Sequence, residues 1–340
     1  MSVTEVRTAE APAAVIDSRA VTSSSVEQPR DLQRTFQLIL ATFWLLDAVL
    51  QLQPFMFTRG SNGFSAMLNN VAAGNPGWVA HSITWNASNV NHNPILGNSL
   101  FALVQFLIGF GIVWKRSLKP ALALSMAWSL GVWWFGEGLG NILHGGATPF
   151  GGGPGAVLFY GVLAVLLWPS EGSDRPFVAA RTVGVTVAKV IWVLVWGLFA
   201  LLAVLGSGRS PEALHGLVAA YTGQPGWLAR IDRATASMFL HHGAAAAIVL
   251  AVVCAAVAVG VYLPPRFAKI TLVFGIVTFV FIWVATENFG GILAGGATDP
   301  NSGPLVIMLA LIYWPLDLAR NTATGVRWNW TAGSENARVR

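Results

Sequence analysis

The chain has 340 residues, of which 54% are hydrophobic and only 10% are charged, and it carries fifteen tryptophans. Soluble domains use about a quarter charged residues, so that class is excluded and the composition is that of a polytopic membrane protein. The net charge of +5 comes without a compact basic patch interleaved with aromatics, which excludes a nucleic-acid surface.

Residues 1–33 mix Ala, Ser, Val and scattered charges without an apolar core, and read as a disordered cytoplasmic tail rather than a cleaved signal peptide. Four apolar stretches follow within 34–170: Phe36 to Phe55, Ile95 to Trp114, Pro120 to Leu143 and Gly155 to Trp168. After a linker at 171–184, four more occupy 185–319: Val185 to Leu205, Phe239 to Tyr262, Ile270 to Leu293 and Leu305 to Ala319. Residues 320–340 form a second tail. Six stretches reach the roughly 20 residues that a helix needs to cross a hydrocarbon core of about 30 Å, and the fourth and eighth are shorter. The expected fold is therefore all-α, a transmembrane helix bundle of eight spans. The lone Cys254 sits in an apolar run, which excludes an intrachain disulfide.

The two halves resemble each other. "EGLGNILHGGAT" at 137–148 and "ENFGGILAGGAT" at 287–298 agree at eight of twelve positions. Pro76-Gly77-Trp78 matches Pro225-Gly226-Trp227, and His92 matches His241, at an offset of 149. Two units of four helices each begin and end on the same side, so a tandem duplication predicts parallel repeats related by an axis along the membrane normal. Basic residues fix the orientation, because Lys and Arg near span ends stay cytoplasmic. With eight spans, sixteen of the twenty fall on the side of the two tails, every lysine among them. Both termini are expected in the cytoplasm, with the protein in the cell membrane.

Carboxylates at bilayer depth are costly and mark functional sites; within the stretches, apart from Asp317 at the very end of the eighth, they are Asp47, Glu137 and Glu287. Helical spacing would put Glu137, Asn141 and His144 on one face, whereas the second copy offers Glu287, Gly291 and Ala294 there. Glu137, His144 and Glu287 are accordingly the candidate catalytic residues, and Asp47, His92, Asn141 and His241 the candidate ligand-binding ones. The glycine loops "HGGATPFGGGPG" and "AGGATDPNSGP" cannot be helical throughout. With short helices behind them they are expected to descend and floor an outer vestibule.

A four-helix unit with both ends inside, a Pro-Gly-Trp segment in its long first outer loop and a second helix reading "ILGNSLFALVQFLIGFGIVW" resembles the DoxX and DoxD group of small membrane proteins. The chain would hold two such units over about 34–319. The resemblance implies a membrane subunit of a quinone- or sulfur-linked redox system, with a quinone or a redox subunit as partner. This chain departs from the pattern at Asn98, where a glutamate is expected. Phosphate-loop, dinucleotide and His-Glu-x-x-His motifs are lacking, and no motif names a cofactor or metal. Two other classes remain open: a proton- or metal-ion-linked transporter using the three acids, and a non-catalytic membrane assembly protein.

Overall fold

The computed structural model describes residues 31–170 and 175–316. Residues 1–30, 171–174 and 317–340 lie outside the described residues, and Leu32 and Gln33, expected in the first tail, open the first helix. Those that are described form helices and turns, with no strand among them. The helices are α1 (Leu32–Leu50), α2 (Phe64–Ala72), α3 (Gly77–His92), α4 (Pro94–Val113), α5 (Leu118–Phe135), α6 (Ala156–Leu166), α7 (Ala179–Val204), α8 (Pro211–Ala219), α9 (Gly226–Gly260), α10 (Pro265–Ala285) and α11 (Ser302–Ile312).

Four of them, α4, α7, α9 and α10, are long and apolar enough to cross a membrane, which fits an integral membrane protein. Their outward surfaces agree. Phe110, Leu194, Val252 and Phe274 are 60–66% exposed, and so apolar an exterior needs a lipid rather than water around it. At the other extreme, α6 and α11 have eleven residues each, about 16 Å of helix. Both are apolar and buried on most sides, as interior helices are, and they pack against each other in a core continuous across the two halves.

Local chemistry sets the element ends. Asn93 caps α4 by accepting from the Leu96 amide at 3.2 Å, with Pro94 at the first helical position. The missing N–H of Pro94, and its restriction of Asn93 to φ −139° and ψ 77°, separate α3 from α4. At the matching place of the second half stands Gly243, and the chain runs as one 35-residue helix, α9. The part of the long first outer loop that follows Pro76 is therefore helix α3, and its second-half partner is the front of α9. At the opposite end of α4, Arg34 of α1 donates to the Ile112 carbonyl at 2.8 Å and to that of Val113, closing carbonyls the helix leaves open. Close backbone approach recurs in both halves. A Cβ on Gly111 would lie 2.7 Å from that of Ala121, and one on Gly260 2.7 Å from that of Thr271.

The third and seventh apolar stretches end as helices earlier than hydropathy predicts. α5 stops at Phe135 and α10 at Ala285. Then Gly138, Leu139, Gly140 and Asn141 all take positive φ (56° to 62°), and so do Asn288, Phe289, Gly290 and Gly291 (53° to 77°). Four consecutive left-handed residues turn the chain sharply, and the non-glycine ones are strained. Packing holds them: a Cβ on Gly140 would overlap the Pro154 carbonyl oxygen, and one on Gly290 would lie 2.6 Å from that of Asp299.

Candidate functional site

A cavity of about 370 Å³ opens inside the first half, between α1, α2, α4, α5 and α6. Its size is in the range of small-molecule sites. One wall is aromatic: Phe64 meets Phe101 edge-on at 6.2 Å between ring centroids, and Phe101 meets Trp128 at 5.7 Å. The lining also carries Asp47, Gln51, Gln105, Glu137 and Tyr160, with Thr298 and Asp299 brought in by the loop that precedes α11. That loop is held in place when Gln53 donates to the Ala297 carbonyl at 2.6 Å.

Three buried polar atoms on this lining have no hydrogen-bond partner, Gln105 Oε1, Trp128 Nε1 and Glu137 Oε2, while Asp47 and the Tyr160 hydroxyl pair with each other. Buried polar groups are nearly always paired, and leaving one unpaired costs about 1–3 kcal/mol. Asp47 is 3% exposed and Tyr160 fully buried. The remaining polar groups are held by neighbours. Asp299 accepts from the Thr298 hydroxyl at 2.8 Å and from the Asn301 amide at 2.7 Å. Burial pushes the Asp299 carboxyl above the ordinary carboxylate range. Gln51 donates to the Asn98 side chain, whose amide returns a bond to the Gln51 carbonyl at 2.7 Å, so Asn98 serves to fix Gln51 at the cavity edge.

The two repeated glutamates sit at the entrance of short helices, with different company. Glu137 Oε1 accepts from the Val157 amide at 3.0 Å, and its second oxygen is unpartnered beside the cavity. Glu287 is fully buried with both oxygens engaged, one by the Ser302 hydroxyl and the other by the Gly303 amide at 3.0 Å. A tryptophan braces each: Trp133 donates to the Pro154 carbonyl at 2.7 Å and Trp283 to that of Pro300 at 2.8 Å.

The expected site residues are thus only partly assembled. Asp47 and Glu137 share the cavity, and Glu287 lies elsewhere. Helical spacing does not carry from Glu137 to His144, because α5 has already ended and the left-handed turn intervenes; Asn141 and His144 are exposed and off the cavity lining. His92 and His241 are exposed as well, and the backbone carbonyl of His92 accepts from Arg59 at 2.9 Å. Among the described residues no three His, Cys, Asp or Glu side chains could hold a metal ion together. Sequence reasoning missed Gln51, Gln105, Trp128, Tyr160 and Asp299. Uncharged amides inside apolar stretches were the available signal for the first two. Asp299 gave a weaker one, the single acid in a glycine loop.

No family model matches the chain, and no curated protein and no solved structure matches it either.

Proposed function

We propose that this integral membrane protein binds a small, largely apolar molecule in the first-half cavity, and that it consists of two parallel four-helix repeats, eight spans with both termini cytoplasmic, of which only the first keeps a site. The observation that carries this reading is the set of buried polar atoms facing one apolar cavity, with Gln105 Oε1, Trp128 Nε1 and Glu137 Oε2 unpartnered. Such groups are stable only if an occupant satisfies them.

The repeat reading is supported by the paired left-handed turns, the paired tryptophan braces and the matched glycine contacts. It also accounts for apolar side chains standing in the second half where the first has its polar groups. Trp44 donates to the Ser125 hydroxyl at 3.0 Å, and the Trp196 ring lies 2.8 Å from where a Cβ on Gly275 would be. Ser125 and Gly275 are 150 apart, so Trp44 answers Trp196 and Asp47 answers Phe199. By the offset of 149, Gln105 answers Cys254. Phe199 and Cys254 are fully buried, and Phe199 packs on Phe279 at 4.8 Å. Apolar bulk thus fills the place of those polar groups. The sixteen-to-four split of basic residues supports the orientation, which puts the cavity toward the outer side.

The redox reading, a subunit of a quinone-linked system, has one specific support. Trp128 Nε1 is an unpartnered donor among the aromatic rings of the lining, a setting that suits a quinone ring. Binding of ring compounds to the protein in lipid nanodiscs, with empty nanodiscs subtracted, tests the site itself. Saturable binding that Gln105→Leu and Tyr160→Phe weaken, and Cys254→Ala does not, is the expected result. Binding indifferent to the cavity substitutions would remove the site.

A further inference from the structure

The chemistry of the cavity wall specifies the occupant further. Three carboxylates, Asp47, Glu137 and Asp299, line the cavity, and no Lys, Arg or His does. Asp47 is 3% exposed and paired with the Tyr160 hydroxyl, and Glu137 Oε2 is unpartnered. A carboxyl taken out of water keeps its charge only where something supplies a positive partner, and otherwise takes up a proton. We infer that the cavity binds a ring-bearing organic cation, its charge between Asp47 and Glu137 and its ring against the Phe64, Phe101 and Trp128 wall. The inference rests on the reading of the cavity as a ligand site.

Other classes fit less well. An anion would face three carboxylates with no cation to offset them. An inorganic cation lacks its donors, since no three acidic or imidazole groups converge closely enough to ligate one among the described residues. It would also leave most of the 370 Å³ unfilled. A neutral ring would meet the aromatic wall but leave the acids unmatched. A delocalised cation satisfies acids and rings together, because aromatic faces attract positive charge most strongly where water is excluded. In the second half the corresponding places are held by Phe199 and Cys254, and Glu287 has both oxygens paired. The second half therefore does not repeat this site, although Asp232 Oδ1 and Asn288 Oδ1 are also unpartnered there.

The test uses the full chain in nanodiscs, with equilibrium dialysis of three probes: N-methyl-4-phenylpyridinium, its uncharged isostere 4-methylbiphenyl, and duroquinol. The cation is expected to bind with a Kd at least tenfold below that of the isostere. Asp47→Asn and Glu137→Gln should each bring the two values together by raising the Kd of the cation alone, and Glu287→Gln should keep the preference. The parent's preference needs no variant, so a misfolded substitution cannot mask the answer. Equal saturable binding of cation and isostere would overturn the cation class and leave the site standing. Tighter binding of duroquinol than of the cation would overturn it in favour of the quinone-linked reading. Failure of all three probes to bind above empty nanodiscs would overturn the site itself.

Discussion

Residues 156 and 302 occupy the same place before and within the two short helices, and exchanging their side chains should move a hydrogen bond from one glutamate to the other. Ser302 is fully buried and donates to Glu287. Ser302→Ala leaves that oxygen of a buried carboxylate unpaired, and hydrogen bonds to charged groups are worth about 1.5–3 kcal/mol. The loss of stability should fall in that range, since the Gly303 amide continues to hold the other oxygen. Ala156 is 4% exposed, and Ala156→Ser brings a donor to the neighbourhood of the unpartnered Glu137 Oε2. It should stabilise the protein by about 0.5–1.5 kcal/mol and weaken binding in the cavity. A ligand must then displace an internal bond, and about 1.4 kcal/mol corresponds to a factor of ten in Kd. Unfolding in mixed micelles titrated with sodium dodecyl sulfate, followed by circular dichroism, reads the first effect, and dialysis against the probes reads the second. If Ser302→Ala unfolds like the parent while Ala156→Ser binds like it, the reasoning about the two glutamates is wrong.

Three further outcomes follow from the backbone and the topology. Gly243→Pro, inside α9, should cost about 3 kcal/mol or more, read as lost helicity and yield, whereas Pro94→Ala at a helix start should be tolerated. Gly140→Ala should prevent assembly, because its Cβ collides with Pro154; Gly145→Ala, at φ 78° with only the Gly206 Cα near its Cβ, at 4.0 Å, should cost about 1–2 kcal/mol of left-handed strain in the same micelle titration. In a Cys254→Ala background, cysteines at the exposed positions 61 and 223 should react with an impermeant thiol reagent outside intact cells, and one at exposed position 116 should not. Labelling at 116 would overturn the eight-span orientation. Thr148 and Ser302 are buried and would report accessibility rather than side.

Hydropathy located a helix under each of the eight apolar stretches, because that signal depends only on local composition and length. It could not find where α5 and α10 stop. The apolar letters continue past Phe135 and Ala285, and what ends the helices is a tertiary event, a left-handed turn locked against the next helix entrance. That error propagated to the site. Counting helical turns from Glu137 put Asn141 and His144 beside it, and the turn carries both away to the surface. Asp47 and Glu137 were legible because acids in apolar stretches are rare. Asp299 was not, since its loop joins the first-half cavity from more than 150 residues further along the chain. The repeated twelve letters pointed to a shared structure, and the difference between the copies lay outside them, at Ala156 and Ser302.

The most direct test of the central claim is an experimental density map of the protein extracted with its native lipids. Non-protein density should fill the first-half cavity, in contact with Asp47 Oδ1 and Glu137 Oε2 and stacked on the Phe101 and Trp128 rings, with none beside Glu287. A cavity closed by side chains, or one holding only water while density surrounds Glu287, would contradict the assignment of the site to the first half.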